Sequence, residues 1–517
     1  MELTINRIEL GALRKPAKPV DDEIVIGKDI LELFAGAMYA EPLSVYREYI
    51  QNAADSLDEA RAAGIKADAE ADIRISFDQA ERTVKIRDLG AGVPIAQFVR
   101  RLTSIGASSK RGTSARGFRG IGRLSGLGYC QELIFRTRAK GDGKVKEMKW
   151  DGRVLRERLR SQDFKGSLAD LIREVATVGE LPGAEYPEHF FEVELRKLLR
   201  VKNDVLLNEE AVRAFLSQVA PVPFDPDFKL GSKISGFLES NGVRAPVRIM
   251  LEDGNGLVYH RARNSFPISP KVNDEFRDVE FFEHRNSDNE VLAFGWTLDH
   301  AYAGAVNRRL GLGGVRLRHG NIQVGDEQIL TWLFPEARFV QWAVGDIHIA
   351  HAKIIPNGRR DDFEHTAQYS QLHEELRELA RKITSVIRER SEQRTKLKKV
   401  QLALQYAHAW HDEALRANGV PLAVASAERA AYFVAEAMKA MGKLGDTVPG
   451  RDHALELAVR MQAETMKWAT SNARRIKDVN AMQKAALLAI LRSSVKPEAV
   501  MPLAVDVLQA MSKAAKA

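Results

Sequence analysis

Strand-like alternation of apolar and polar residues ends near residue 364, and only helical periodicity follows. Beyond that point, apolar residues recur at spacings of three or four positions, which is typical of the buried seam of an amphipathic helix. These residues are Leu372, Leu376, Leu379, Ile383 and Ile387. Before residue 364, helical segments are interspersed with strand-like runs. The separation predicts an α+β chain whose last part is entirely helical.

A chain of 517 residues exceeds what one hydrophobic core supports, so several domains are expected. The proline-rich stretch at residues 220–226 indicates a domain edge. We therefore predict a first domain over residues 1–225, a smaller α/β domain over 226–365, and a helical region over 366–517. The leucine seam of the last region packs either within the chain or against a partner.

Composition excludes several classes of protein. Cys130 is the only cysteine, so neither a disulfide framework nor a thiolate metal cluster is expected. No apolar run approaches the roughly 20 residues that span a membrane, and the first residues lack the apolar core of a secretory signal. A cytoplasmic protein without membrane contact is the expectation. The excess of 77 Lys and Arg over 70 Asp and Glu is too small to argue for a polyanionic partner.

The segment from Arg47 to Asp55 carries the strongest chemical signal. On a helix, Glu48 and Asn52 lie one turn apart on the same face. A carboxylate there can act as general base toward a water molecule, and a carboxamide oxygen suits Mg²⁺, which prefers oxygen ligands. Taken alone, the pair is more typical of a solvated helix face.

Two glycine-rich segments follow. Residues 73–77 and 83–87 alternate like a β-hairpin, and Asp88-Leu-Gly-Ala-Gly comes directly after it. A carboxylate in such a turn can accept a hydrogen bond from an exocyclic amine such as that of adenine. Further along, the glycines of residues 117–125 open a predicted helix, an arrangement in which backbone N–H groups bind phosphate.

In this order the three elements resemble the GHKL ATPases, the superfamily of gyrase B, the ninety-kilodalton heat-shock chaperones, histidine kinases and MutL. The resemblance implies a Bergerat-type α/β sandwich that binds ATP with Mg²⁺ and hydrolyses it. By this resemblance Glu48 is the water-activating base, Asn52 the Mg²⁺ ligand and Asp88 the adenine-reading carboxylate. Residues 103–116 would form the lid over ATP. The other residues expected to shape the nucleotide pocket are Asp55, Gly90, Gly92, Ser109, Lys110, Gly117, Gly120 and Gly122.

The chain departs from the family pattern at two positions. Leu89 follows the aspartate where a small or polar residue is usual. The family also carries a Gly-Thr before a late strand, whose threonine meets adenine, whereas residues 188–195 here contain no Gly-Thr. The adenine partner of Asp88 therefore stays unassigned.

A basic loop in the second domain is the next functional signal. Residues 353–363 resemble the middle-domain loop of the heat-shock chaperones, whose arginine senses the γ-phosphate. That resemblance implies Arg360 or Arg359 in this role, with Lys353 behind them; a basic surface loop is the alternative. The Arg316-Leu317-Arg318-His319 patch is interpreted as a solvated strand end. The basic residues at 388–399 are interpreted as a solvated helix face, with polyanion contact as the alternative.

Two functional hypotheses remain open at this stage. In the first, ATP drives closure of a homodimeric, chaperone-like or MutL/MORC-like machine that acts on a protein client. In the second, ATP switches an interaction subunit that binds DNA or a partner protein, for example in a bacterial defence or repair system.

Overall fold

The computed structural model describes residues 41–65, 70–104, 122–161, 164, 166–270, 272–446, 448, 450–477 and 479–514. It has the predicted α+β class, with strands confined to the part before residue 350. The helices of that part are α1 (Ser44–Ala62), α2 (Ile95–Thr103), α3 (Gly152–Arg160), α4 (Leu168–Val175), α5 (Glu209–Val219) and α6 (Gly231–Ser240). The later helices are α7 (Ala367–Arg416), α8 (Val420–Met441), α9 (Arg451–Ser471), α10 (Ala473–Lys477), α11 (Ala481–Leu491) and α12 (Met501–Ala514).

The strands form two main sheets and a small ribbon. The strands of the first sheet are β1 (Ile73–Asp78), β2 (Thr83–Asp88), β3 (Cys130–Arg138), β4 (Lys144–Asp151), β5 (Ala176–Pro182), β6 (Phe190–Leu198) and β7 (Ile249–Leu251). The ribbon pairs β8 (Ser265–Ser269) with β9 (Val272–Glu275). The second sheet contains β10 (Asp278–Arg285), β11 (Val291–Asp299), β12 (Gly314–His319), β13 (Ile322–Val324) and β14 (Val344–Ile349).

The seven-stranded sheet has the order β5-β4-β3-β6-β2-β1-β7. The predicted hairpin is confirmed, since β1 and β2 pair antiparallel with Phe77 opposite Val84. β7 joins the edge parallel to β1, so residues beyond 225 also complete this sheet. Because side chains alternate between the two faces of a strand, the pairing register assigns each residue to one face.

One face of this sheet is apolar and is covered by helices. It carries buried residues such as Ile86, Val193, Phe135 and Trp150, which share one core with α1. The buried side chains of α1 recur every three or four residues, as a helix that packs on a sheet requires. They include Val45, Tyr46, Tyr49, Ile50, Ala53, Ala54 and Leu57. This packing fixes α1 over the middle of the sheet.

The opposite face carries a ladder of charges. Arg136 donates to Glu192 and to Glu194 at 2.7 and 2.5 Å, and its Nε lies 2.7 Å from Glu147. Glu192 is fully buried and also accepts from Arg87 at 2.6 Å. A buried carboxylate is tolerated when it is paired and hydrogen-bonded, which is the case here.

The second sheet has the order β10-β11-β14-β12-β13 and surrounds a buried carboxylate, Asp346. Arg261, Arg318 and His260 lie 2.7, 2.6 and 3.0 Å from its oxygens. Although burial opposes ionisation, these cations hold the pKa of Asp346 well below its usual range. The sheet therefore closes around an ionic cluster.

The interpretation of Arg316 and Arg318 as a solvated strand end was wrong. Both side chains are 1% exposed. Arg318 is drawn inward by Asp346, and Arg316 donates to the side chain of Gln218 on α5 at 3.1 Å. An arginine can occupy an interior when its donors meet a carboxylate or carbonyl oxygens, and sequence alternation does not reveal such partners.

The C-terminal part is helical, as predicted. The seam residues Leu372, Leu376, Ile383 and Ile387 are buried against the second sheet, and Leu379 packs at the edge of that core. α7 ends at Arg416, and α8 begins at Val420. No helix in the described part of the chain is both long and apolar enough to cross a membrane.

The buried histidines of the second sheet predict acid sensitivity. Burial lowers the pKa of His260 from 6.5 to about 4 and that of His348 to about 3. In the unfolded chain both side chains take up protons as the pH falls below 6.5, whereas the folded chain takes them up only near pH 4 and below. Stability therefore falls with decreasing pH between about 6.5 and 4, by up to about 1.4 kcal/mol per pH unit for each histidine.

Hydrogen exchange of β11 and β14, recorded between pH 7 and 4, gives the free energy of unfolding at each pH and so measures this slope. His348→Gln should reduce it by up to about 1.4 kcal/mol per pH unit, which is the contribution of one histidine. His408→Gln, on an exposed side chain of α7, should leave it unchanged. An unaltered slope in His348→Gln would contradict the assignment.

Candidate functional site

Helix α1 presents a polar stripe at the edge of its apolar face. Glu48, Asn52 and Ser56 are spaced four residues apart and lie on one side of the helix. Eight residues of helix place Ser56 about 12 Å from Glu48 along the axis. Glu48 is 8% exposed, and Asn52 and Ser56 are partly buried. The stripe connects two glycine-containing segments, one at each end.

At the Glu48 end the chain approaches through Gly122, where a 3₁₀ helix begins (Gly122–Gly128). A Cβ atom added at Gly122 would lie 2.1 Å from Glu48 Oε2. No side chain fits there without displacing the carboxylate. The residue after Glu48, Tyr49, contacts the same segment, since Gly126 N donates to Tyr49 Oη at 3.0 Å. These contacts fix the position of Glu48.

At the Ser56 end lies the turn that follows β2. Asp88 is 4% exposed on the apolar face of the sheet, and its Oδ1 accepts from Gly90 N at 2.9 Å. Ala91 N donates to Ser56 O at 3.1 Å, and a Cβ at Gly90 would lie 2.2 Å from Ser56 Oγ. Glycine is therefore required where the turn touches α1. Asp88 is held next to the far end of the stripe.

Gly92 is also required by the backbone. Its φ is +67°, and a Cβ there would lie 2.2 Å from Arg138 O. The turn is anchored from the other side by His189, whose Nδ1 lies 2.8 Å from Gly90 O. Because a carbonyl only accepts, Nδ1 carries the proton of this hydrogen bond.

The strand beside Asp88 is β6. Phe191 of β6 is the cross-strand partner of Asp88, so both lie on the same face. Thr137 lies one strand further, opposite Phe191. It is fully buried, accepting from Val93 N at 2.8 Å and donating to Phe190 O at 3.1 Å. The position next to Asp88 thus offers an aromatic ring rather than a hydroxyl.

The basic loop that follows β14 reaches the Glu48 end. Arg360 Nε lies 3.8 Å from Glu48 Oε1, and the Arg360 side chain is buried. The loop is a tight turn in which Asn357 N donates to Asp362 O at 2.8 Å, with φ of Arg360 at +57°. A left-handed conformation is costly for a residue other than glycine and is concentrated at functional sites. Gly325 N, which donates to Arg360 O at 2.8 Å, helps to hold it.

The structure separates the three basic residues that the sequence grouped together. Arg359 is exposed, and its carbonyl accepts from Arg47 Nη2 at 3.1 Å. Lys353 is exposed and forms no ion pair with another described residue. Arg360 is therefore the member of the group that lies beside Glu48.

Asp55 lies beside an arginine, Arg244, from outside the motifs of the nucleotide pocket. Arg244 lies 3.8 Å from Asp55 and 3.0 Å from Asp58, so these carboxylates bind the segment between α6 and β7. Burial, followed by the nearby charges of Arg360 and Arg244, lowers the pKa of His319 to about 4. His319 stays neutral at physiological pH behind the two arginines.

Sequence reasoning missed Arg47, Arg244, His319 and Phe191. Of these residues only Arg47 had a signal in the sequence, because it directly precedes Glu48. In the structure its Nε lies 3.9 Å from Glu48 Oε1. Ser109, Lys110, Gly117 and Gly120, together with residues 105–116 of the expected lid, lie outside the described residues.

The side chains near Glu48 offer few oxygen ligands for a magnesium ion. Within the described ranges no group of three or more His, Cys, Asp or Glu side chains could enclose a metal ion. Mg²⁺ commonly takes one or two protein oxygens and completes its shell with phosphate and water. The partly buried carboxamide of Asn52, one turn from Glu48, is compatible with that mode of binding.

Comparisons with known proteins concern this same part of the chain. Residues 43–169 match the family model described as "Histidine kinase-, DNA gyrase B-, and HSP90-like ATPase". The Chaperone protein HtpG of Serratia proteamaculans is 28% identical over 142 residues, covering 24% of this chain and 23% of that protein. Proteins of the same name from Salmonella paratyphi A and Klebsiella pneumoniae are 27% identical over the same length. The match thus spans about a quarter of these relatives.

The matched segment contains α1, the Asp88 turn and Gly122, which are the elements that build the polar stripe. Fold class, motif order and relatives agree. Through this segment the chain is similar to the GHKL ATPases, and the relatives that it matches are chaperone proteins.

Proposed function

We propose that this protein binds ATP with Mg²⁺ along α1 and hydrolyses it slowly to change the relative position of its domains. The observation that carries the proposal is the polar stripe of α1. It joins a buried carboxylate in a glycine turn, at Asp88, to a carboxylate–arginine pair, Glu48 and Arg360. One end suits an adenine base and the other suits a terminal phosphate.

At the base end, Asp88 would accept a hydrogen bond from the exocyclic amine of adenine. Its turn is pre-organised by Gly90, Gly92 and His189, so little conformational entropy would be lost on binding. Phe191 supplies apolar contact to the base in place of a hydroxyl.

At the phosphate end, Glu48 would take a proton from a water molecule as its oxygen attacks the γ-phosphorus. The bond from the γ-phosphorus to the β-phosphate oxygen breaks, giving ADP and phosphate. Arg360 would stabilise the charge on the transferred phosphoryl group. Asn52 would hold Mg²⁺, which when bound neutralises charge on the β- and γ-phosphates.

Contacts between the first sheet's domain and the second support the idea of coupling. Arg360 pairs with Glu48, Arg47 donates to the Arg359 carbonyl, and the sheet itself is completed by β7. A γ-phosphate next to Glu48 would therefore be sensed by the loop of the second domain. We propose that residues 1–225, 226–365 and 366–517 act as ATPase, transducer-like and partner-binding units.

A chaperone-like machine acting as a homodimer on protein clients fits these contacts better than a DNA-binding subunit. The basic residues of α7 are largely used within the chain: Arg388 pairs with Glu336 at 2.6 Å and Arg390 with Asp299 at 2.8 Å. Arg394 donates to the Ala301 carbonyl. Fewer cations remain on this helix for a polyanion.

Replacing the base tests the chemistry. Glu48→Gln keeps the shape that packs against Gly122 but removes the proton acceptor, so phosphate release should fall by about 10²–10⁴-fold while ATP binding is retained. Steady-state phosphate release and calorimetric titration with MgATP measure the two properties. Glu59→Gln, on the exposed side of α1, is the matched control and should keep both. Retained turnover in Glu48→Gln would refute the mechanism.

Comparing the two adjacent arginines tests the role of the loop. Arg360→Gln should lower phosphate release by about 10²-fold, because a charged donor to the transition state is removed. Arg359→Gln should stay within a fewfold of the unchanged protein, since only its backbone contacts Arg47. Equal effects of both substitutions on single-turnover hydrolysis would show that Arg360 has no special role.

A further inference from the structure

A second cavity, separate from the Glu48 stripe, lies where α5 meets the second sheet. Its volume is about 470 Å³. α5 contributes Arg213 and Gln218, and the segment around the 3₁₀ helix Arg308–Leu310 contributes the opposite wall. Cavities of this size accommodate small ligands.

The wall of this cavity is rich in arginine. Five arginines line it: Arg213, Arg263, Arg308, Arg309 and Arg316. Asp253 neutralises Arg213 through two hydrogen bonds of 2.9 and 2.7 Å. Within the described ranges Arg263, Arg308 and Arg309 form no ion pair. The lining acids are Glu210 and Glu327, so five positive charges, less these two and less Asp253, leave a surplus of two.

Buried donors line the same cavity. Arg316 is 1% exposed, and its Nε and Nη1 have no hydrogen-bond partner in the described part of the chain. The nearest carboxylate oxygen, of Glu327, lies 3.7 Å from Nη1. The Nε2 of Gln341, which is 7% exposed, likewise lacks a partner among those residues. An interior donor without an acceptor costs stability. These three nitrogen atoms therefore favour an oxygen-rich ligand.

The surroundings add to the positive potential. Behind Arg316 lie Arg261 and Arg318, which share the single carboxylate of Asp346. Burial, followed by the charge of Arg261, lowers the pKa of Arg316 to about 9, so it remains mainly protonated at neutral pH. An anion in the cavity would relieve this repulsion.

We propose that this cavity binds a phosphate-bearing small molecule. A phosphate monoester carries about −1.5 to −2 charges and three acceptor oxygens, which matches the surplus of two positive charges and the unmatched donors. Arg316 and Gln341 bind the phosphate from inside, and Arg308 and Arg309 close over it from the exposed rim. The occupant contacts α5 and the second sheet together, and so fixes one domain against the other.

The test uses inorganic phosphate and glycerol phosphate as probes on the full chain, with chloride at equal ionic strength as reference. Hydrogen exchange of peptides from residues 209–219 and 308–316 reports binding at this cavity and not at the Glu48 stripe. Both probes should protect these peptides in the unchanged protein. Tighter binding of the ester would identify an organic phosphate as the occupant, and equal binding would identify the free ion.

Substitutions test whether the phosphate probes bind in this cavity. The double variant R308Q/R309Q changes only exposed side chains and should weaken binding of either probe roughly tenfold or more. Gln341→Glu adds a carboxylate to the wall and should abolish the protection. Arg277→Gln, an exposed arginine of the same domain, is the control and should bind as the unchanged protein does. Absence of protection in the unchanged protein, or unaltered affinity in R308Q/R309Q, would overturn the proposal.

Discussion

The packing of α1 on the apolar face of the seven-stranded sheet is the constraint on which the site depends. Tyr49, Ile50 and Ala53 are anchored in the core, which leaves the neighbouring stripe of Glu48, Asn52 and Ser56 at its edge. The same packing brings the Asp88 turn against Ser56, because Gly90 has no side chain. Burial of apolar surface is therefore what sets the distance between the two carboxylates.

The loop that follows the second sheet places a further basic side chain, Arg360, beside Glu48. This loop is closed by the Pro356–Phe363 bridge and by buried Phe363, and it turns Arg360 toward Glu48 while Arg359 faces solvent. Arg359 and Arg360 are adjacent in the chain, and only the side chain of Arg360 lies beside the carboxylate of Glu48. The strained φ of Arg360 is the local cost of that orientation.

The two main sheets differ in how completely their buried charges are paired. Charges on the outer face of the first sheet are matched, with Arg136 held between Glu192 and Glu194. Around Asp346 the cations outnumber the carboxylate that they share, and that excess extends to Arg316 at the arginine-rich cavity. An interior arginine whose N–H groups lack an acceptor costs stability.

The sequence alone determined the α+β class, the β1–β2 hairpin, the helical C-terminal part and the resemblance of the N-terminal part to the GHKL ATPases. These follow from local periodicity and from motifs that are contiguous in the chain, such as the Glu48–Asn52 spacing and the Asp88 turn. The roles assigned to those residues remain predictions of chemistry.

Only the tertiary structure decided that Arg360 rather than Arg359 approaches Glu48, that Phe191 lies beside Asp88, and that Arg316 is buried. Each of these depends on a partner distant along the chain: 312 positions separate Arg360 from Glu48, and 103 separate Phe191 from Asp88. Hydrophobic periodicity reports whether a side chain faces a core, but it does not report which charge or ring lies opposite. That information resides in the strand register and in the docking of the second sheet.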